Sequence, residues 1–279
     1  MVYSINYLIF IFVIGVLILA SITDIKKREV PDSISYVLIA GSSLLVLAYS
    51  ISNNTISNLV YMPLSILLVT GFSYFMYKAG QWGGGDVKIL FGISIVFTSI
   101  NLFSNRSFIA LFINILLFGG IYGILGTIAV GVIKIKKLKN HFKVYDIPFF
   151  IVTLLTMVLS FFFIPVPLNF FIAIAAFMLF SMRFVFLVAS YLMYIVQNVN
   201  KLTEGDWLAE SPKDSKGKKI VPERDTGLTA ADIEKLKNSK VKEVLIKIGL
   251  PFIPGILFAV VITMLFGNPL LQIISSLYI

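Results

Sequence analysis

Long stretches without a single charge decide what this chain can fold into. Residues 1–23, 33–77, 89–105, 107–133, 147–182, 184–200 and 248–279 contain no Asp, Glu, Lys or Arg. A helix crossing a bilayer needs about 20 apolar residues. Runs of this length, repeated along 279 residues, predict an all-α, polytopic bundle of transmembrane helices. Overall composition agrees: 58% of the residues are hydrophobic and 13% charged, whereas soluble domains carry about 25% charged residues.

Local breaks subdivide the runs. Ser50–Thr55 is polar, and Pro165-Val166-Pro167 interrupts another apolar stretch. The pattern predicts about eight spans, near 4–22, 33–50, 57–78, 86–103, 107–133, 147–164, 168–198 and 246–267. Cation placement then sets the orientation. With the amino terminus outside, every Lys and Arg lies on the inner side except Arg106, in an outer loop, and Arg183, within a span. All 14 acidic residues fall on the inner side as well. The expected location is therefore the cell membrane, with both termini outside and the lipid bilayer as the principal surroundings. Lys26, Lys27 and Arg28 follow the first apolar run instead of preceding it, so that run is expected to stay as an anchor. The net charge of +9 belongs to inner-leaflet loops and implies no nucleic-acid partner.

Three regions follow: a transmembrane region over 1–198, a cytoplasmic loop with a small helical segment over 199–245, and a final span with its tail over 246–279. Thr229-Ala230-Ala231-Asp232 has the spacing of a helix-capping signal, with a charged helix of about 12 residues expected after it. So few apolar positions cannot sustain a large core, and the segment is expected to lean on the membrane part.

Chemistry is narrowed by what is missing. There is no cysteine, so thiol nucleophiles and Cys-ligated zinc are excluded, and the single histidine, His141, rules out a two-histidine metalloprotease motif. No metal and no cofactor are implied. Carboxylates at membrane depth remain, and they are functional candidates because charge there is costly. Asp24 closes the first predicted span, and Asp86 opens the fourth, directly after Gly83-Gly84-Gly85. Two carboxylates at one depth can share a proton, one activating water while the other polarises a carbonyl. Each alone reads equally as a helix cap, and the glycines as a plain turn. Asp146, before Pro148, reads as a cap.

The segment Asp24-Ile25-Lys26-Lys27-Arg28-Glu29-Val30-Pro31-Asp32, followed by Gly83-Gly84-Gly85-Asp86, resembles the type IV prepilin peptidases, membrane aspartyl proteases of the GxGD class. The likeness runs from about residue 8 to 100. It is nearest to the archaeal branch, which includes the preflagellin (prearchaellin) peptidases; Gly249-Leu250-Pro251-Phe252-Ile253-Pro254 adds to that likeness. The resemblance implies catalytic roles for Asp24 and Asp86, with Arg28, Asp32 and Gly83 to Gly85 supporting the active-site loop. It implies precursor substrates with a short basic leader and a hydrophobic helix, cut at the cytoplasmic face. The Cys-rich region of bacterial members, linked to methylation, has no counterpart here. Glu204, Asp206 and Glu210 are candidates for receiving leader cations. From helix dipoles, Asp86 at a helix start is expected to be the base and Asp24 at a helix end the acid. The competing class is a proton- or cation-coupled transporter using the same carboxylates.

Overall fold

The computed structural model describes residues 2–54, 57–79, 82–99, 107–213, 217–222, 227–269 and 272. Arg106 lies outside the described residues. Helices dominate, as the charge-free runs require. They are α1 (Val2–Lys27), α2 (Asp32–Ser52), α3 (Ser57–Lys78), α4 (Gly84–Ser99), α5 (Ser107–Ile133), the short α6 (Ile135–Lys139), α7 (Asp146–Phe163), α8 (Leu168–Tyr191), α9 (Ala230–Lys237) and α10 (Ile253–Phe266). Ile164 to Pro167 connect α7 to α8, which pack side by side, so the Pro165 break is a turn between two helices.

Each of the eight predicted spans has a helix, and five of these are long and apolar enough to cross a membrane: Ile5–Lys27, Asp32–Ser52, Ala110–Ile133, Asp146–Phe163 and Leu168–Tyr191. The others include the 16-residue α4 and the 14-residue α10. At 1.5 Å per residue, α10 reaches about 21 Å, short of the roughly 30 Å hydrocarbon core. Its start also differs from the sequence expectation by seven residues, because 243–247 form a strand and Pro251 precedes the helix.

The short helices are the buried ones. α4 packs against α2, α3 and α5, and α10 against α1 and α5. Ile89, Ile93, Ile95 and Val96 of α4 and Ile253, Ile256, Ala259 and Val260 of α10 belong to one apolar core. Close approach is set by missing side chains: a Cβ at Gly92 would lie 2.8 Å from Leu38 of α2, and one at Gly131 of α5 would lie 2.5 Å from Phe184 of α8. Where α10 ends, Asn114 of α5 donates to Thr263 Oγ1 at 2.9 Å and to the Gly267 carbonyl at 2.8 Å. Outward-facing apolar residues such as Phe162, Phe163 and Phe171 remain exposed, as a lipid solvent permits.

The polar region departs from the all-α expectation. Three strands, β1 (Tyr194–Asn198), β2 (Trp207–Leu208) and β3 (Glu243–Lys247), form an antiparallel sheet in the order β1-β3-β2. Tyr194 pairs with Lys247 and Asn198 with Glu243. β1 occupies residues expected to be the last turns of the 168–198 helix; that helix ends at Tyr191. Val199, Leu202, Val221, Leu228, Ile233, Leu236, Val244 and Ile246 give this unit a small core of its own. The capping signal is realised: Thr229 Oγ1 accepts from Asp232 N, and the Asp232 carboxylate accepts from Thr229 N. The helix it starts, α9, has eight residues.

Arg183 lies within α8, two turns before its end, and pairs with the fully buried Asp146 of α7 through Nε at 2.8 Å and Nη2 at 2.5 Å. Asp146 also accepts from Lys143 N at 2.7 Å. Removing one partner of a buried pair leaves an uncompensated charge. Asp146→Ala should destabilise the protein by roughly 2–4 kcal/mol, tempered by the partial exposure of Arg183. Adding Arg183→Met should recover most of that loss. Thermal unfolding in detergent measures both; a double variant as unstable as the single one would show that the pair is not the cause.

Candidate active site

The segment from Asp24 to Asp32 sends each of its distinctive residues to a different neighbour. Asp24, at the end of α1 and 7% exposed, accepts a hydrogen bond on Oδ2 from Ile253 N at 2.9 Å. Ile253 is the first residue of α10, a position whose N–H has no partner within the helix. Arg28 donates through Nη1 to the carbonyl of Gly249, in the loop leading to α10. It does so from a left-handed backbone conformation, φ 58°, which costs a non-glycine residue about 1 kcal/mol. Val30 packs on Gly85, and Asp32 pairs with Lys88 Nζ of α4 at 2.5 Å. The loop between α1 and α2 thus fastens the starts of α4 and α10 to one end of α1.

At the start of α4, Asp86 accepts on Oδ2 from Gly83 N at 2.9 Å, an N-terminal cap made by its own helix. Gly83, Gly84 and Gly85 have separable surroundings, and none has a positive φ. A Cβ at Gly85 would lie 3.3 Å from Val30 Cβ, whereas one at Gly84 would meet nothing within 4 Å. Gly85 is therefore closely packed against Val30, and Gly84 leaves open space. Trp82, immediately before the glycines, is buried and stacks on Phe252 with ring centres 5.6 Å apart and planes at 30°. Phe72 of α3 meets the other side of this contact edge-on at 5.7 Å. This aromatic wedge joins the α4 loop to the α10 loop, and Asp24 and Asp86 lie close enough for their charges to interact.

Each carboxylate has one oxygen held by a main-chain N–H near a helix start: Asp24 by α10 and Asp86 by α4. This changes the dipole argument for unequal roles. Asp24 ends α1 but also faces the positive end of α10, so helix ends favour the anion at both positions. Among the described residues, no cluster of three or more His, Asp or Glu side chains is arranged to hold a metal ion.

The polar unit approaches the same end of the bundle. Glu29, in the α1–α2 loop, lies within electrostatic range of Asp206. Asp206 accepts on Oδ2 from Thr203 N at 2.8 Å, so this carboxylate also shapes its own turn. Glu204 and Glu210 are exposed. Partial burial lifts the Asp206 pKa above its ordinary 3.8, the Thr203 hydrogen bonds oppose this, and the charge of Glu29 adds to the rise.

Sequence reasoning singled out Asp24, Arg28, Asp32, Asp86 and the glycines, and the structure gathers them. It left out Trp82 and gave Ile253 no individual role. A tryptophan next to three glycines was the available signal for the first; a main-chain donor has no residue signature.

Residues 11–124 match the model of the type IV leader peptidase family. The match covers less than half of the chain, from α1 into α5, and includes both Asp24 and Asp86. Over that segment the chain is similar to type IV leader peptidases. Comparison with curated proteins and with solved structures returned no match.

Two outcomes follow from these contacts. Gly85→Val should push α4 away from Val30 and red-shift Trp82 emission in a Trp207→Phe background, whereas Gly84→Ala should leave it unchanged; equal spectra would show that the Gly85 contact is dispensable. For Asp206, the raised pKa means that the folded protein binds the proton more tightly than the unfolded chain, so stability falls as pH rises above 3.8 through the folded value. Asp206→Asn, which can still accept from Thr203, should raise the unfolding temperature at neutral pH but not below pH 3.8. Unfolding curves over pH test this, and a pH-independent effect would contradict it.

Proposed function

We propose that this protein is a membrane aspartyl endopeptidase that removes leaders from prepilin-like or prearchaellin-like precursors, with Asp24 and Asp86 as the catalytic pair. The observation that carries this reading is the approach of two carboxylates from separate helices, each with one oxygen held by a main-chain amide. That arrangement fixes the carboxyl groups with main-chain donors and ties up no other side chain. In the reaction, one ionised carboxylate takes a proton from water as the water oxygen bonds to the scissile carbonyl carbon. The protonated partner gives its proton to the carbonyl oxygen. Collapse of the resulting diol, with a proton passing to the amide nitrogen, breaks the C–N bond and restores one shared proton to the pair. These steps require no cofactor.

Arg28, Asp32 and Gly85 act by holding the two helix starts in register, and Gly84 leaves room for an extended substrate backbone. Glu204, Asp206 and Glu210 receive the cations of the leader. A bound cation would also relieve the repulsion between Asp206 and Glu29, which favours this side of the site. The Lys-rich stretch 134–143 and the family likeness support a cytoplasm-facing site with the amino terminus outside. The Pro-rich segment Gly249-Leu250-Pro251-Phe252-Ile253-Pro254 supports the archaeal branch through its sequence likeness.

Purified full-length protein in nanodiscs, supplied with tagged precursors, tests the reading. Asp24→Asn and Asp86→Asn should each abolish cleavage, by at least about 10³-fold given the role of the pair, without loss of folding. Ion flux without proteolysis would select the transporter, and cleavage surviving either substitution would remove the dyad.

A further inference from the structure

Tyr122 stands beside the candidate active site and has no part in the chemistry described so far. It lies on α5, and the first turn of α10 reaches it through Gly255. A Cβ there would lie 3.2 Å from Tyr122 Cδ1 and 3.3 Å from the Gly119 Cα. The missing side chain therefore seats the phenol ring against the same helical turn whose Ile253 N–H binds Asp24. Neighbouring contacts keep it there: a Cβ at Gly119, one turn earlier on α5, would lie 3.0 Å from Phe252 Cζ. Phe252 in turn stacks on Trp82, the residue leading into the Asp86 loop. The ring is tied to the α10 start that binds Asp24 and, through Phe252 and Trp82, lies near the α4 start that carries Asp86; it is half-buried and lies within the field of the Asp24 charge.

Chemistry explains why a phenol matters at this place. α5 is almost wholly apolar, with Leu, Ile and Phe supplying its bulk. A group needed only to fill the space over Gly255 could be another of these. A tyrosine adds an O–H, which seeks an acceptor when partly buried. Asp24, whose charge reaches Tyr122, already accepts from main-chain donors at the start of α10, so a peptide drawn towards it offers the phenol a further acceptor.

Resting on the peptidase reading, we propose that Tyr122 is a further catalytic residue: its hydroxyl donates a hydrogen bond to the main-chain oxygen of the scissile peptide on the Asp24 side. The bond strengthens as that oxygen turns from carbonyl to tetrahedral, and the proton stays on the phenol throughout. Tyr122 is thus a donor and not a proton source, leaving all proton transfers to the two carboxyl groups and water.

The test uses the full chain in nanodiscs and a fluorogenic peptide with a Lys-rich leader followed by an apolar segment. Tyr122→Phe keeps the ring and removes the hydroxyl. It should lower kcat on the order of 10²-fold, as loss of one such donor does, with KM and thermal unfolding unchanged. A hydroxyethylene analogue of the peptide should lose affinity in parallel while the uncleaved peptide does not. In 13C-tyrosine spectra the Tyr122 Cζ resonance should follow the titration of Asp24 and become flat in Asp24→Asn. Wild-type turnover by Tyr122→Phe, with loss confined to Tyr122→Ala, would overturn the proposal by showing that the ring only packs. A kcat loss matched by a fall in unfolding temperature would overturn it too. Failure of the peptidase reading looks different: the wild-type protein would then cleave neither the peptide nor any precursor.

Discussion

A carboxylate leaving water loses solvation worth roughly tens of kcal/mol unless polar groups meet it. At Asp24 the group that meets it is the amide at the start of α10. Much of the bundle follows from that requirement. α10 must begin where α1 ends, so it packs between α1 and α5 as a short buried helix and leaves the lipid boundary to longer ones. Its leading loop must pass beside the α1–α2 connection, where Arg28 holds the Gly249 carbonyl. Phe252 must then sit against Trp82, which brings the α4 loop to the same place.

Polar groups elsewhere in the bundle obey the same rule with different solutions. Asp146 and Arg183 satisfy each other between α7 and α8, with Lys143 N completing the shell. Asn114 bridges α5 to the far end of α10 through a hydroxyl and a carbonyl. These contacts fix helix ends against each other. The two carboxylates of the candidate site instead use main-chain donors.

The sequence made the membrane helices and the acidic pair readable, because charge is expensive in lipid and its placement is therefore informative. Asp24, Arg28, Val30 and Asp32 stand at fixed spacing because each reaches a separate neighbour across one short loop. The sheet was hidden for a physical reason. Tyr194 to Asn198 continue an apolar run without charge or proline, so nothing local separates strand from helix, and the partner that decides the matter, Glu243 to Lys247, lies far along the chain. The start of α10 was misplaced for the same reason, since Ile246 and Lys247 read as its first residues until the strand pairing claims them. Tyr122 and Ile253 gave no signal: one sits in an apolar helix as an ordinary aromatic, and the other contributes a group every residue but proline possesses.

Asp24 and its amide donor are 229 residues apart. A ribosome adding about 5–20 residues each second would need roughly 10–45 s to travel between them. For most of that interval the nascent chain carries both acidic side chains but lacks the segment that anchors one of them. Order of synthesis therefore makes the candidate site one of the last features that the chain can complete, since it waits for α10.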